Sequence, residues 1–243
     1  MIKQKILKIL NNISNKKYEL SEPIRDKYLD KYNINACGYG IYEDNENLKR
    51  QYNSRYCLII ELPKYKRKGK TLTTLLMNPS NTFPSLPDEK SRFDNTVRNL
   101  IILADKMKFS TIVVLNSFPV ILSKGDEASK YYEENKDIPE NKLNNKFVNE
   151  VLSKKCNNLL LACGNNVSAN LYKKYLEILT LPTINMWTYA PNLTSKNRPR
   201  HLSTQSKQNR SYYNNFQENP CLYKIELYNI NSLKIIEGCQ LHP

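Results

Sequence analysis

Apolar residues in the middle of the chain form four short, almost uninterrupted runs. These runs lie at 71–77, 111–115, 158–162 and 183–188, and polar or turn-forming residues bound each of them. Their length and their lack of polar alternation predict strands that are buried on both faces. Such strands are typical of a parallel sheet that helices cover on both sides.

Between these runs the apolar positions follow a helical period. The spacing over 97–104 predicts a helix, and the segments 143–152 and 167–179 predict two more. A further apolar run at 55–62 precedes the core, and a Lys-rich turn separates it from the run at 71–77. We therefore predict that these two strands pair as an antiparallel hairpin.

The two ends of the chain predict additions to this core. Residues 1–53 start with aliphatic residues at helical spacing and predict an N-terminal helical extension, whereas 205–243 contain two β-rich segments. The predicted fold class is α/β: a single three-layer domain at 54–204 around a central, mostly parallel four-stranded sheet flanked by helices. The C-terminal strands at 205–243 are expected to pack on this core.

The composition indicates a globular chain with a large positive charge. Of the 243 residues, 40% are hydrophobic, and 37 lysines and arginines against 23 acidic residues give a net charge of +14. No run approaches the ~18 consecutive apolar residues that a membrane span needs. The N-terminal pattern also lacks the features of a secretory signal. We therefore expect a cytoplasmic protein without a membrane partner.

The cysteines and histidines favour neither a metal nor a cofactor. Six cysteines occur without a C-x-x-C pair, and the two histidines are His201 and His242. A structural zinc site needs four such ligands at paired spacings. The Gly-rich motifs that cradle nucleotide phosphates are absent as well. We expect no metal, no cofactor and no obligatory protein partner.

The positive charge is concentrated in two segments. The turn at 64–70 contains five cations, and the segment 192–213 contains cations but no acidic residue. The cations of the second segment are Lys196, Arg198, Arg200, Lys207 and Arg210. Such clusters favour a polyanionic partner such as nucleic acid. A solvated basic surface is the alternative explanation.

Polar and aromatic residues follow directly after the four predicted parallel strands. Asn78 follows the first strand, Asn116 the second, Gly164 the third and Tyr189 the fourth, ahead of the basic segment that contains His201. Ligands of open parallel sheets bind outside the carboxyl ends of the strands. The sequence therefore predicts a binding site at this edge of the sheet.

Each of these features also has a purely structural interpretation. The Asn-Pro-Ser sequence at 78–80 is an ordinary turn signal, and Gly164 could serve a tight turn before a helix. Trp187 could be a core residue, and Asp94 could be the N-cap of the helix that follows it. His201 lies in a segment that is too polar for the core, so its alternative is a surface histidine without a role.

Five ordered motifs resemble a family of bacterial and phage proteins of unknown function that carries N-P-S and terminal H-P-L motifs. They lie at 76–80, 94–96, 115–118, 162–164 and 198–201. The same order is similar to that of the uracil-DNA glycosylase superfamily, whose first motif follows strand one and whose last motif carries a histidine or asparagine. Here Ser80 replaces a glycine of the mismatch-specific branch, and Leu202 follows His201 where both families usually have proline.

This resemblance implies a uracil-DNA glycosylase-like fold and a monofunctional DNA glycosylase. Such an enzyme turns a nucleotide out of the helix and hydrolyses its N-glycosidic bond, leaving an abasic site. Asn78 would position the water, and His201 would donate a hydrogen bond to the departing base. We infer that Asp94 polarises the water. A modified base is at least as good a target as uracil, and hypermodified cytosine of phage DNA would make the protein a defence enzyme.

The remaining candidates are assigned to base binding or to backbone binding. Asn116 could read the base edge, and aromatic residues near the strand ends could stack on the base. The base-binding candidates are Pro79, Ser80, Phe83, Asn116, Phe118, Gly164, Trp187 and Tyr189. DNA is the expected partner, with backbone contacts through Lys196, Arg198, Arg200, Lys207 and Arg210. The 64–70 turn is a second candidate for such contacts.

Two other classes of function are compatible with the sequence. A non-catalytic nucleic-acid-binding module could use the same edge of the sheet. A nuclease or another nucleotide hydrolase is also possible, but a nuclease normally needs a cluster of metal-binding carboxylates, and residues 78–120 contain only scattered acids. An enzyme that acts on free nucleosides would not need a net charge of +14.

Overall fold

The central feature of the fold is one eight-stranded mixed sheet. Its strands are β1 (Cys37–Glu43), β2 (Ser54–Glu61), β3 (Thr71–Leu76), β4 (Thr111–Asn116), β5 (Asn158–Leu161), β6 (Asn185–Thr188), β7 (Leu222–Asn229) and β8 (Ser232–Cys239). They are arranged in the order β1-β2-β4-β3-β5-β6-β7-β8. The four apolar runs of the sequence form β3, β4, β5 and β6, which confirms their prediction as strands.

The structure is a computed structural model, and it describes most of the chain. The described residues are 2–43, 54–66, 70–79, 82, 92–122, 124–156, 158–165, 168–180, 185–202, 207–229 and 232–239.

The predicted sheet was wrong in its size and in its dominant direction. The pairs β3–β4, β3–β5 and β5–β6 are parallel, but the other four pairs are antiparallel. The sheet is therefore mixed and eight-stranded, not a central, mostly parallel four-stranded sheet of the uracil-DNA glycosylase-like kind. The error arose because an apolar run shows that a strand is buried, but it does not show which strands pair with it or in which direction they run.

The predicted hairpin between the runs at 55–62 and 71–77 was also wrong. β4 lies between β2 and β3, pairing antiparallel with β2 and parallel with β3. Both edges of β3 are occupied by parallel partners, β4 and β5. No edge of β3 is therefore left for β2, although the two strands are consecutive along the chain.

Helices cover both faces of the sheet. They are α1 (Ile2–Ile13), α2 (Asn95–Lys106), α3 (Gly125–Asn135), α4 (Pro139–Lys155), α5 (Ala169–Leu179) and α6 (Lys207–Glu218), with short 3-10 helices at Lys27–Tyr32 and Pro63–Tyr65. Buried residues of α1, α3, α4 and α5 pack on one face, which we call the α5 face. Buried residues of α2, α6 and the first 3-10 helix pack on the other, the α2 face.

The two terminal segments join the same sheet. The predicted N-terminal helical extension contains α1 and a 3-10 helix, but it also supplies the edge strand β1, which pairs with β2. At the other end, β7 pairs with β6 and β8 pairs with β7. Within the described ranges, no helix is long and apolar enough to cross a membrane.

Candidate functional site

The candidate site lies at the carboxyl ends of the parallel strands. From β3 the chain continues to β4 on one side, and β5 lies on the other side. This divergence is a topological switch point, where ligands of open α/β sheets bind. Leu76 pairs with Asn116, and Leu75 pairs with Leu161. The segments that follow β3, β4 and β5 therefore emerge side by side.

Asn116 is a fully buried asparagine at the last position of β4. Its side-chain Nδ2 and Oδ1 atoms have no hydrogen-bond partner among the described residues. Strand alternation places the side chain on the α2 face, because Val114 and Ile112 belong to the core of that face. A buried amide without partners costs about 1–3 kcal/mol, so Asn116 keeps an unmet capacity for one donor and one acceptor partner at this edge.

Asn78 lies two residues beyond β3, and its amide is held by the backbone. The Nδ2 atom donates to the Leu122 carbonyl at 2.7 Å and to the Pro79 carbonyl at 3.0 Å. These bonds engage both amide hydrogens, so Oδ1 is the atom of this side chain that can accept a hydrogen bond from water. Pro79 is itself buried beside this amide.

His201 reaches the same edge from the segment after β6. A Cβ atom added to Gly164 would lie 2.8 Å from the His201 Cβ, and Gly164 has a φ of +74°. Glycine is therefore required there by backbone conformation and by close approach. Because Gly164 follows β5 and β5 pairs with β3, His201 and Asn78 lie at the same end of the sheet.

Three hydrogen bonds fix the backbone on either side of His201. The Tyr189 hydroxyl donates to the His201 carbonyl at 2.9 Å. Asn99 Nδ2 donates to the Leu202 carbonyl at 2.7 Å, and the Gly164 amide donates to the Pro199 carbonyl at 2.8 Å. Tyr189 thus holds the backbone of His201 through its hydroxyl group, which is a different role from the predicted stacking on a base.

The electrostatic surroundings favour a neutral imidazole at His201. The side chain is half-buried, and the surrounding protein atoms lower its pKa below the ordinary histidine value, while the negative charge of Asp94 opposes this shift. A neutral imidazole carries one N–H group and can donate a hydrogen bond without first being protonated. Neutral histidines with lowered pKa serve as electrophiles in known active sites.

Asp94 is the N-cap of α2, as the alternative interpretation of its sequence predicts. Its Oδ1 accepts from the Val97 amide at 3.0 Å, and its Oδ2 accepts from the Thr82 hydroxyl at 2.7 Å. Both oxygens are thus engaged by the protein. These bonds orient the carboxylate, and they favour an electrostatic effect on His201 over direct contact with a water.

Arg55 is a residue of this edge that the sequence analysis did not identify. It is 1% exposed, and its Nη1 donates to the Thr82 carbonyl at 3.2 Å. An irregularity in the β1–β2 ladder, where Ile41 pairs with Cys57 but Tyr42 pairs with Arg55, leaves Tyr56 as an extra residue. Such bulges redirect side chains near sites. The signal in the sequence is a charged residue at the start of an apolar strand.

Two of the aromatic candidates direct their rings away from the α2 side of this edge, although the Phe118 amide donates to the Met77 carbonyl at the edge. Phe118 is fully buried on the α5 face, where its ring contacts Tyr131 and Tyr132. The Trp187 indole donates to Asn158 Oδ1 at 3.3 Å, and Asn158 begins β5. Trp187 therefore points toward the amino ends of the strands. Ser80 and Phe83 lie outside the described residues.

Two of the three arginines of the 192–213 segment point into the protein. Arg198 and Arg200 are 6% and 5% exposed. Arg200 donates to the carbonyls of Asn192 and Leu193, and Arg198 donates to the carbonyl of Asn165. These bonds order the loop that carries His201.

The other predicted DNA-backbone cations are placed differently. Lys196 and Arg210 are exposed, and Lys207 begins α6 with a side chain outside the described part of the structure. The described ends of the 64–70 turn lie at the amino end of β3, opposite the candidate site.

The structure gives little support for metal or thiol chemistry at this edge. Among the described residues, no group of three or more His, Cys, Asp or Glu side chains could hold a metal ion. Cys163 lies close to the site, but burial raises its pKa to about 12. It is therefore a protonated thiol at neutral pH and a poor nucleophile.

Comparisons with known proteins identify a family but no activity. A family model described as "Protein of unknown function (DUF1643)" matches residues 55–201. No curated protein matches the sequence. A solved structure from Bacteroides fragilis, described as a "putative acetyl xylan esterase", is similar with a TM-score of 0.39 and 10% identity. The match covers 79% of this chain and 53% of that one, so the chain spans about half its length.

Proposed function

The chain belongs to the DUF1643 family of proteins of unknown function, and we propose that it is a monofunctional DNA glycosylase. In this proposal, a nucleotide turned out of DNA enters the edge formed by the carboxyl ends of β3, β4 and β5. The bond between the base and C1′ of the sugar is then hydrolysed. The products are a free base and an abasic site.

The observation that carries the proposal is the buried, unpartnered amide of Asn116. An amide offers one acceptor and one donor group side by side, and nucleobase edges present the complementary pair. Enzymes that act on an extruded base read it through hydrogen bonds of this kind. A bound base would therefore supply the partners that Asn116 lacks within the described structure.

The neutral His201 suits the chemistry of base departure. When the N-glycosidic bond breaks, its electron pair moves to the base, and negative charge develops on a base carbonyl oxygen. An N–H donor aimed at that oxygen stabilises the transition state, as in an oxyanion hole. Donors of this kind contribute about 3–4 kcal/mol. The steric contact with Gly164 and the bond from Tyr189 hold the histidine in place for this task.

The remaining step is the addition of water to the sugar. Water supplies the hydroxyl group that bonds to C1′, and its proton leaves with solvent or with the base. In the proposal, Asn78 Oδ1 accepts a hydrogen bond from this water, because its Nδ2 is already bonded to the protein. Asp94 acts mainly as a positioning residue through Thr82 and through its charge near His201.

The net charge favours a DNA substrate over a free nucleoside. With a charge of +14, the chain attracts a polyanion, and this attraction supplies most non-specific affinity for DNA. Exposed cations of the adjoining segments are Arg92, two residues before Asp94, and Lys196 and Arg210, which lie on either side of His201 in the chain. Modified bases of phage DNA remain the candidate target that would give the protein a role in defence.

The test is excision of a base from DNA by the full chain. Labelled DNAs that contain uracil, hydroxymethylcytosine or glucosylated cytosine are incubated with the protein, and one half of each sample is then treated with alkali. We expect strand breaks that appear only after alkali and only for particular bases. Asn78→Ala and His201→Ala should each lower the rate about 10²–10³-fold, whereas Asn214→Ala, an exposed position of α6, should not.

Other outcomes of this experiment contradict the proposal in distinct ways. Breaks that appear without alkali would indicate a nuclease or a lyase. DNA binding without any excision, unchanged in the Asn78→Ala and His201→Ala variants, would indicate a non-catalytic binding module.

A further inference from the structure

The first 3-10 helix carries two exposed tyrosines, Tyr28 and Tyr32, and Lys31 lies between them in the sequence. Tyr28 and Tyr32 are 41% and 40% exposed, and their ring centroids lie 5.9 Å apart at an interplanar angle of 54°. Single exposed apolar residues are ordinary on a protein surface, but these two rings lie side by side and form a small continuous aromatic surface. We call Tyr28, Lys31 and Tyr32 the tyrosine–lysine patch.

Cations are held over these rings. The Lys31 Nζ lies 3.7 Å from the Tyr28 ring centroid and 4.8 Å from that of Tyr32, and the Arg98 guanidinium lies 4.5 Å from that of Tyr28. The Arg98 Nε also donates to Asp26 at 2.7 Å. This ion pair offsets the charge of Asp26, the residue that caps the 3-10 helix.

Further cations flank the patch on its own segment. Arg25 and Lys27 are both exposed, and so is one acid of the same 3-10 helix, Asp30. The patch therefore presents positive charge together with aromatic surface. This combination is typical of surfaces that bind single-stranded nucleic acid, where cations follow the backbone and rings stack on bases.

The patch lies beside the candidate site. Asp26 accepts a hydrogen bond from the amide of Phe93, the residue before Asp94, at 3.0 Å. Arg98 lies in the first turn of α2, the helix that Asp94 caps. A strand that leaves the site along the outer side of α2 would therefore meet the patch within a few nucleotides.

We propose that the tyrosine–lysine patch binds the unpaired DNA strand beside the extruded nucleotide, with a base stacked on Tyr32 and a phosphate against Lys31. Tyr32 is the stacking residue because Lys31 lies farther from its ring than from that of Tyr28, over which Arg98 also lies. This inference rests on the proposed function, which places the extruded nucleotide at the candidate site and the unpaired strand beside it. It names the second contact that the DNA makes and the form of DNA that it prefers.

The chain offers matched controls for both contacts. Tyr131 is 37% exposed and Lys130 is exposed, and both lie on α3, which packs on the opposite face of the sheet. The Tyr32→Ala and Lys31→Ala variants can therefore be compared with Tyr131→Ala and Lys130→Ala. Each pair removes the same kind of side chain from an exposed helical position.

The experiment measures binding of a labelled single-stranded oligonucleotide by fluorescence anisotropy at several salt concentrations. We expect Tyr32→Ala to lower the affinity about tenfold, in line with the loss of one stacked base. Lys31→Ala should reduce the slope of log K against log salt by about 0.7. Tyr131→Ala and Lys130→Ala should bind like the unaltered chain. The inference is overturned if the Tyr32→Ala and Lys31→Ala affinities and salt slopes match those of the controls.

A second arm separates this inference from the proposed function and from another partner. If the unaltered chain excises no base but the patch variants still lose single-strand affinity, the binding surface stands and the glycosylase proposal fails. If polyglutamate binds the patch as tightly as the oligonucleotide does, the surface is a site for acidic protein, and the assignment to DNA is wrong.

Discussion

Two buried polar side chains on opposite faces of the sheet differ in what surrounds them. Asn116 on the α2 face and Lys174 of α5 are 0% and 7% exposed, and the polar atoms of both side chains lack hydrogen-bond partners among the described residues. Asn116 ends a strand at the edge that also contains Asn78, Asp94 and His201. Lys174 lies within a helix, under aromatic rings.

The structure relieves the burial of Lys174 in a way that it does not for Asn116. The Lys174 Nζ lies 5.7 Å from the ring centroid of Phe118 and 5.1 Å from that of Tyr132, and such rings attract a cation. Burial also lowers the pKa of Lys174 to about 8. The amine can therefore lose its charge, whereas the Asn116 amide stays polar at every pH.

This difference distinguishes a buried polar group that serves function from one that only lowers stability. A polar group is a strong candidate for function when it lies at strand ends with other polar groups and keeps its unmet hydrogen bonds. A polar group that is alone in an apolar layer is more simply a cost to stability. The two residues therefore predict opposite results when each is replaced by an apolar side chain of similar size.

The largest effect that the proposed glycosylase function predicts is the loss of base excision in Asn116→Leu. We expect base excision to fall about 10²–10³-fold, while the free energy of unfolding in urea stays equal or rises by about 1–3 kcal/mol, because an unsatisfied buried amide is removed. Asn144→Leu is the contrast, since Asn144 Nδ2 donates to the Asn116 carbonyl at 2.9 Å. That variant should lose stability. A marked loss of stability in Asn116→Leu would contradict a ligand-reading role.

Lys174→Met should have the opposite profile, with unchanged excision and higher stability. Because the folded pKa of about 8 lies below the ordinary 10.5, the unfolded chain binds more protons between these values. The free energy of unfolding of the unaltered chain therefore rises with pH across this window. Below pH 8 the unaltered chain is less stable than Lys174→Met by the full amount of this effect. We expect this deficit to be about 3 kcal/mol at pH 7 and to shrink toward pH 10.5.

The control for this measurement is Lys173→Met, which alters the exposed neighbour on the same helix. Urea unfolding of the three proteins at pH 7 and pH 10 gives the comparison. A loss of excision in Lys174→Met, at unchanged stability, would show that Lys174 belongs to the site after all.

The smallest expected effect is a shift in the pH profile of Asp94→Asn. Asparagine is also a good N-cap, so the helix start is preserved, while the negative charge and the hydrogen bond that Oδ2 accepts from the Thr82 hydroxyl are removed. Asp94 raises the pKa of His201 against the effect of burial. The variant should therefore have a still lower His201 pKa, and the acid limb of its excision rate should move to lower pH.

Asp126→Asn, an exposed position of α3, should leave this limb where it is. Asp94→Asn would count against an electrostatic role for Asp94 if its acid limb stayed in place or moved to higher pH. Either result would leave capping of α2 as the established contribution of this residue.

Local sequence patterns were sufficient to predict individual elements. The apolar runs give β3 to β6, and the helical spacing over 97–104, 143–152 and 167–179 corresponds to α2, α4 and α5. Local chemistry also indicated the N-cap at Asp94. These features depend on residues a few positions apart, and their period or side-chain type is visible in the chain itself.

Roles that depend on distant partners were not predictable in the same way. Arg198 and Arg200 lie in a basic segment without acidic residues, as is typical of DNA-binding segments. Their guanidinium groups nevertheless bond to backbone carbonyls of their own loop and of Asn165. Arg55 resembles the start of an ordinary strand, but a bulge turns it toward Thr82. No local pattern distinguishes a cation that faces solvent from one that a loop encloses.

The sequence by itself determined the strands β3 to β6, the helices α1, α2, α4 and α5, and the polar residues that follow the strands, but it did not reveal β1, α3 or α6. Only the tertiary structure decided that eight strands form one mixed sheet, that Gly164 contacts His201, and that Asn116 lacks hydrogen-bond partners among the described residues. The reason is physical. Backbone period and capping act over one or two turns, whereas strand order, burial and the pairing of polar groups are settled by contacts between segments that are far apart along the chain.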